Sequence, residues 1–438
     1  MSDWIDALDR KIFPFVEYPG YANRYPTLEA LPLPEYLLQE MAKASRLLFS
    51  AFCHTERILS HCDRQVLKDM DMPKNLLPYL NLPASNPMGL PTWLSRFDFV
   101  LDEEGRLHMV ELNADTPCAI VEAFYGNGVA ARELGFKDPN ATCRAQLVEY
   151  LKSIYLKADI MAFQQDGSVS KDRPFVFACF PDYLEDYGTT LYLMRTMQEA
   201  ADSILPNLRE TICFASFYNL RVDDDGVLLP DGRHAGALYR LHPMELLAEE
   251  TATDGTNLGT YLLNGYQKQR FSMMNPPEAI LLQCKGFQAL LWQDDVKACL
   301  TETQRQAVDT YMLPTYFERD FVPERASSWL KKPIWGREGS GIQLIDKDGL
   351  LAGKKEIEDE KIIVQRQSHA AIYQKYVEQP IFHMKTDEGQ IPGYLTLSCF
   401  MLGKEPSAFY ARFSPDAIAG TEAYWAPIAA LDSSTTRD

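Results

Sequence analysis

The chain has 438 residues, 46% hydrophobic and 24% charged, a globular composition long enough for two or three packed units at roughly 100–200 residues each. Its 61 acidic and 43 basic side chains leave a net charge of −18, which argues against a nucleic-acid partner, because phosphate binding rests on basic surface. No apolar run approaches the ~20 residues of a membrane helix, and the acidic start Met1-Ser2-Asp3-Trp4-Ile5-Asp6 lacks the layout of a signal peptide.

Nine scattered cysteines without a CxxC pair read as reduced thiols of a cytoplasmic protein. The acidic field either draws in a cationic substrate such as a polyamine or serves solubility alone. No repeat or long linker divides the chain. The first 90 residues are expected to be mainly helical, because Leu37, Leu38, Met41, Leu47, Leu48 and Phe52 recur near helical spacing after Pro32 and Pro34.

Phe97 to Leu101 and Leu107 to Leu112 then form a predicted hairpin around the turn Asp102-Glu103-Glu104-Gly105. Alternate residues of a strand share a face, so Arg96 and Asp98 point one way, as do Glu111, Asn113 and Asp115. If the hairpin pairs, Asp98, Glu111 and Asn113 converge as two carboxylates and an amide oxygen, hard ligands suited to Mg²⁺. Thr116 suits an N-cap and Pro117 a first helical position, so a helix is expected from about Pro117, with free N–H groups where an anion could sit. A solvated hairpin with a routine cap explains the same letters.

Further strands are expected at Pro174–Phe180, Thr211–Phe217 and Gly236–Leu241, with a helix from about Thr189. Glu185 and Asp186 fall between the first strand and that helix, where they hold an ammonium or form a solvated loop. Thr251 to Ser272, rich in Thr, Gly, Asn and Gln, reads as a long connection. Strands recur around Ile334, Ile342–Ile345, Ile362–Gln365, Tyr373–Val377, Tyr394–Met401 and Ala408–Phe413. Alternating strands and helices indicate an α/β or α+β enzyme. Within the late portion, Lys331 to Ile342 joins a lysine-bearing strand to glycines Gly336, Gly339 and Gly341, which read either as an ordinary hairpin loop or as a loop able to close over phosphates without being a Walker motif.

The order Arg-x-Asp-Phe, a turn, then Glu-x-Asn-Ala-Asp-Thr-Pro resembles the signature of the glutathionylspermidine synthase family, whose synthetase has an ATP-grasp-type fold. The resemblance implies that Asp98, Glu111 and Asn113 hold Mg²⁺, that Arg96 stabilises the reacting centre, and that Thr116 contacts the acid substrate. Cys118 stands where the family generally has Ser or Thr, and Glu122 matches the acidic residue that follows. Lys332-Pro333-Ile334-Trp335-Gly336-Arg337-Glu338-Gly339 is similar to the family's nucleotide lysine and its mobile loop arginine, Arg337. Lys285 matches a second nucleotide lysine, Gln374 to Tyr376 the strand whose backbone meets adenine, and Arg412 the last phosphate-binding arginine. Glu185 and Asp186 match an acidic pair facing the substrates. The departures are Cys118, Phe413 after Arg412, and Trp425-Ala426-Pro427-Ile428 for an aromatic-x-Pro-His tail.

What the resemblance implies is an α+β, ATP-grasp-like ligase. It would have a helical part at 1–90, a ligase region at 91–427 with a lid at about 285–380, a tail at 428–438, and no preceding amidase domain. The implied reaction uses ATP and Mg²⁺ to join a carboxylate to an amine, such as a polyamine, through an acyl-phosphate. The alternatives are a non-catalytic relative that binds a nucleotide or peptide, and a phosphoryl transferase.

Overall fold

The computed structural model describes residues 3–17, 23–59, 64–80, 86–158, 171–251, 255–322, 327–346, 349–353 and 370–432. The expected strand at Ile362–Gln365 lies outside the described residues. A 25-residue helix, Glu35–Leu59, carries the predicted apolar stripe, and Leu37, Leu38, Met41, Leu48 and Phe52 are buried along it. Ahead of it, Leu31–Pro34 is a short strand that pairs in parallel with Ile428–Leu431.

Phe52 sets its ring edge-on to Phe97 at 5.7 Å, which seats this helix beneath an antiparallel central sheet. The order across that sheet is Tyr424–Trp425, Glu405–Ser414, Gly389–Leu402, Leu94–Leu101 and Leu107–Asn113, with Phe382–Thr386 pairing beside Gly389–Leu402. Strand alternation sends Phe97, Phe99 and Leu101 into the core and leaves Arg96, Asp98 and Val100 on the opposite face. The neighbouring strand changes parity. Met109 opposes Phe99 while Glu111 opposes Asp98, so Val110 is an extra residue, a β-bulge. The bulge lets Met109 and Leu112 stay in the core while Glu111 and Asn113 turn to the Asp98 side.

A second sheet is all parallel, ordered Ile212–Ser216, Phe175–Cys179, Ala237–Arg240 and Ser272–Met274. The helix after its first strand begins at Leu184, five residues before the expected Thr189, so Glu185 and Asp186 lie in its first turn and not in a loop. Residues read as a long connection contain the helix Leu258–Gln267, capped by the Asn257 side chain on Thr260 N–H at 2.6 Å. A Cβ on Gly259 would strike the backbone of Leu247 and Ala248, so glycine is what permits that packing. The third sheet runs Thr315–Phe317, Ala371–Lys375, Trp329–Pro333, Gln343–Asp346 and Gly349–Gly353, antiparallel throughout. The architecture is therefore mixed, as expected. Among the described residues no helix is long and apolar enough to cross a membrane.

Candidate active site

A cavity of about 380 Å³ opens where the central sheet, the parallel sheet and the third sheet meet. On its central-sheet wall Tyr410, Ser398, Asp98 and Glu111 fall in one cross-strand row, with Arg412 opposite Thr396 in the next. Arg96 forks onto Asp98, Nε to Oδ1 at 2.7 Å and Nη2 to Oδ2 at 2.8 Å, and both side chains are buried. Its remaining nitrogen, Nη1, donates to the Cys118 carbonyl at 2.7 Å. Asn113 Nδ2 bridges Asp98 Oδ2 at 3.0 Å and Glu111 Oε1 at 3.3 Å.

Two lysines from different elements face this wall. Lys285 opens the helix Lys285–Trp292 and reaches the Gly336 carbonyl at 2.6 Å and Glu111 Oε2 at 3.6 Å. Lys332 comes from the third sheet and donates to Gln374 Oε1 at 2.6 Å. Leu330, Lys332 and Gln374 share the sheet face that lines the cavity, since Leu330 opposes Gln374. Burial would raise the Glu111 carboxyl, but Lys285, Lys332, Arg96 and Arg412 together hold it down at about 2. Burial and the neighbouring Lys285 push Lys332 down to about 8 against the pull of Glu111. Burial works against the Arg412 charge, and nearby Tyr410 and Asp98 hold its pKa above the ordinary value. The wall thus gathers Arg96, Arg412, Lys285 and Lys332 around the carboxylates of Asp98 and Glu111, a surface matched to an oligophosphate.

The chain from Ala114 to Cys118 departs from the expected cap. Helix begins at Ile120, and Ala119 takes φ +68, so Thr116 and Pro117 belong to an irregular turn and the proposed N-cap is not formed. Tertiary bonds fix that turn. Gln283 Oε1 accepts from Ala114 and Asp115 N–H at 2.8 and 3.1 Å, and Asn275 Nδ2 donates to both carbonyls at 2.9 and 3.0 Å. Asp115 does not join Glu111 and Asn113. Its carboxylate is buried against Arg240 and also accepts Met244 N–H at 2.8 Å.

The glycine loop is held from two sides. Trp335 Nε1 donates to the Asp71 carbonyl at 2.8 Å, and Arg337 donates through Nε and Nη2 to Glu245 Oε1 at 2.9 and 2.6 Å. Gly339 sits at φ +72, with Ala419 O where a side chain would begin. The same cavity is lined by Cys118, Glu185 and Asp186. Burial, Glu185 and Glu338 push Asp186 up to about 8 against the pull of Arg337. Burial raises the Cys118 thiol well above its ordinary value, and Glu185 and Asp186 add to the shift. Both cationic and acidic side chains thus line the cavity.

The structure brings Arg96, Asp98, Glu111, Asn113, Thr116, Cys118, Glu185, Asp186, Lys285, Lys332, Gly336, Arg337, Gly339, Gln374, Tyr376 and Arg412 to this one cavity. Glu122 stands apart. It is 0% exposed, on a π-helical turn Glu122–Gly126 behind the wall, and takes a hydrogen bond from Tyr25 Oη at 3.0 Å.

Residues 35–430 match the sequence profile described as glutathionylspermidine synthase preATP-grasp. The chain belongs to that family. A relative from Haemophilus influenzae, provisionally named an acid–amine ligase, is 25% identical over 344 residues, which is 77% of this chain and 74% of its own. A glutathione synthetase-like effector from Globodera pallida, solved in apo form, shares the fold. Its TM-score is 0.56 at 12% identity, over 98% of this chain and 96% of that one. The mixed fold is thus of the glutathione synthetase-like, ATP-grasp type.

For this family member the metal set can be tested by its donors. Asp98 and Glu111 offer carboxylate oxygens on adjacent strands, Glu111 is held ionised, and rotating the Asn113 amide exchanges its donor for an oxygen. The set fits a hard divalent cation in kind. Among the described residues no group of three or more His, Cys, Asp or Glu is placed to hold a metal. Water and phosphate oxygens must therefore complete such a shell.

Sequence reasoning missed Glu245, Tyr25 and Tyr410. Glu245 lies in the short helix Met244–Leu247, far from the loop it grips, and carries no local signal. Tyr25 precedes the family-matched region.

Proposed function

We propose that this protein is an ATP- and Mg²⁺-dependent ligase that joins a carboxylic acid to an amine through an acyl-phosphate. The observation that carries the reading is that one cavity gathers the cations Lys285, Lys332 and Arg412 and the acidic pair Glu185 and Asp186. The name of the Haemophilus relative supports the same chemistry.

In the proposed reaction the acid takes the γ-phosphoryl group of ATP, and the amine then displaces phosphate from the acyl carbon. Charge gathers on phosphoryl oxygens and then on a tetrahedral oxyanion, where fixed cations usually make the largest catalytic contribution. Lys285 and Lys332 hold phosphate oxygens, Gln374 to Tyr376 seat the adenine, and Arg96 and Arg412 flank the reacting centre. Thr116 and Cys118 face the acid, and Glu185 and Asp186 hold the cationic amine, a polyamine being one candidate. Bound Mg²⁺, held by Asp98, Glu111 and a rotated Asn113, adds charge neutralisation at the phosphoryl oxygens. Because an acyl-phosphate hydrolyses in water, the loop Gly336–Gly341 covers it, with Arg337 moving from Glu245 toward the phosphates. Eight free cysteines among the described residues support a reducing, cytoplasmic setting.

The test is purified protein with Mg-ATP, pooled acids and pooled amines, followed by phosphate release and mass spectrometry. An amide product with stoichiometric phosphate is expected. A phosphorylated product without an amide, or nucleotide binding without turnover, overturns the reading.

A further inference from the structure

Forming an amide from an ammonium sheds two protons; the cavity's arginines cannot take one, and Glu185 and Asp186 are engaged in holding the amine in the reading above. Behind the wall lies a carboxylate that none of the preceding roles uses. Glu122 is fully buried, and among the described residues its Oε2 has no hydrogen-bond partner. Its Oε1 accepts from Tyr25 Oη at 3.0 Å, and Tyr25 Oη lies 2.8 Å from Tyr410 Oη. A tyrosine has one hydroxyl hydrogen. Tyr25 commits its own to Glu122, so Tyr410 donates to Tyr25, and the chain of hydroxyls points from the cavity to the buried carboxylate. Tyr25 and Tyr410 both line the cavity, beside Arg96 and Cys118.

We propose that Glu122 takes up the proton shed by the amine, passed through the hydroxyls of Tyr410 and Tyr25, and acts as a positioning residue one layer behind the substrates. This inference rests on the ligase reading above. The ammonium proton passes to Tyr410 Oη, the Tyr410 hydrogen to Tyr25, and the Tyr25 hydrogen to Glu122 Oε1. The freed nitrogen pair forms the C–N bond, the C–O bond breaks with its electrons leaving on phosphate, and the second proton shed by the nitrogen leaves on that phosphate. Both tyrosines end neutral and Glu122 ends protonated. The proton returns along the same path to departing phosphate or entering water.

The surroundings of Glu122 suit an acceptor for such a proton. Burial raises its carboxyl and Glu185 adds to this, while its own backbone N–H, the Tyr25 hydrogen bond and Arg96 pull it back, leaving it at about 8. Tyr410 and the Cys118 thiol also feel its charge. An acceptor near the working pH transfers protons most effectively.

The test compares an ordinary primary amine with hydroxylamine, which is already neutral at neutral pH and needs no proton acceptor to attack. Glu122→Gln keeps the shape and still accepts from Tyr25, so a structural role predicts normal turnover. The proposal predicts a kcat loss of about 10²-fold or more with the primary amine, as for general-base loss. KM for ATP stays unchanged, hydroxamate formation is unimpaired, and the rise in rate around pH 8 disappears. Tyr25→Phe should behave alike, with no change in buried charge. Normal amide turnover in Glu122→Gln, or an equal loss of hydroxamate, overturns the relay. Absence of hydroxamate from the unaltered protein with every acid tried overturns the ligase reading itself, and the relay with it.

Discussion

Replacing Asp115 by alanine should destabilise the fold more than any change at the cavity surface. Asp115 and Arg240 are both 0% exposed at their side chains. Removing the carboxylate strands a buried guanidinium, for which about 3–5 kcal/mol is typical. It also leaves the Met244 N–H without its acceptor, about 1–3 kcal/mol more where it stays buried. Together these make a loss of about 6 kcal/mol, a third or more of a total stability of ~5–15 kcal/mol. Urea unfolding followed by circular dichroism reads it as a drop in midpoint. The companion Asp115→Leu with Arg240→Met removes both charges, and exchange of a buried pair for apolar groups is close to neutral. The double variant should therefore recover most of the loss. If Asp115→Ala stays within about 1 kcal/mol of the parent, the pair does not hold the turn and the argument fails.

Three further outcomes follow from the cavity. Glu111→Gln should fold normally and lose nearly all Mg-ATP turnover, and near-normal turnover would remove Glu111 from the phosphate site. Arg337→Ala should lower kcat more than ATP affinity, whereas Glu245→Gln, by loosening the resting grip, should leave kcat largely intact; equal kcat losses in the two would show that the ion pair is the working arrangement. Asp186, raised to about 8, keeps in the folded state a proton that the unfolded chain sheds above its ordinary value of 3.8, so stability falls as pH rises between those limits. Asp186→Asn should flatten that fall, and urea midpoints that track the parent at both pH 5 and pH 8 would refute the assignment.

The hairpin was legible because turn letters at 102–105 separate two alternating runs, and its pairing places Asp98 opposite Glu111 as the spacing suggests. The bulge at Val110 was not, since a one-residue slip leaves no letter of its own and shows only in the clash of parity between Met109 and Glu111. The helix Leu258–Gln267 hid behind its polar letters, yet Leu262, Leu263 and Tyr266 hold a helical spacing on its buried side. The irregular turn at Thr116 was misread because local capping preference was weighed without Asn275 and Gln283, which reach it from more than 150 positions away. Lys285 and Arg412 were placed by resemblance alone. Glu245 and Tyr25 depend wholly on tertiary contact, and nothing in their neighbourhood of sequence announces them.

The parallel pairing of Leu31–Pro34 with Ile428–Leu431 brings segments almost 400 positions apart side by side, and Tyr25 and Ala423 both line the cavity. A chain emerging from the ribosome therefore carries most of its future pocket exposed and incomplete. Tyr410 and Arg412 arrive late, and the short parallel strand pair can close only after them. Such long-range closure slows folding and leaves unpaired sheet edges open for its duration. Premature termination before Tyr410 would thus yield a long fragment with neither a finished nucleotide wall nor a sealed N-terminal strand, a substrate for chaperones and proteases and not a weakened enzyme.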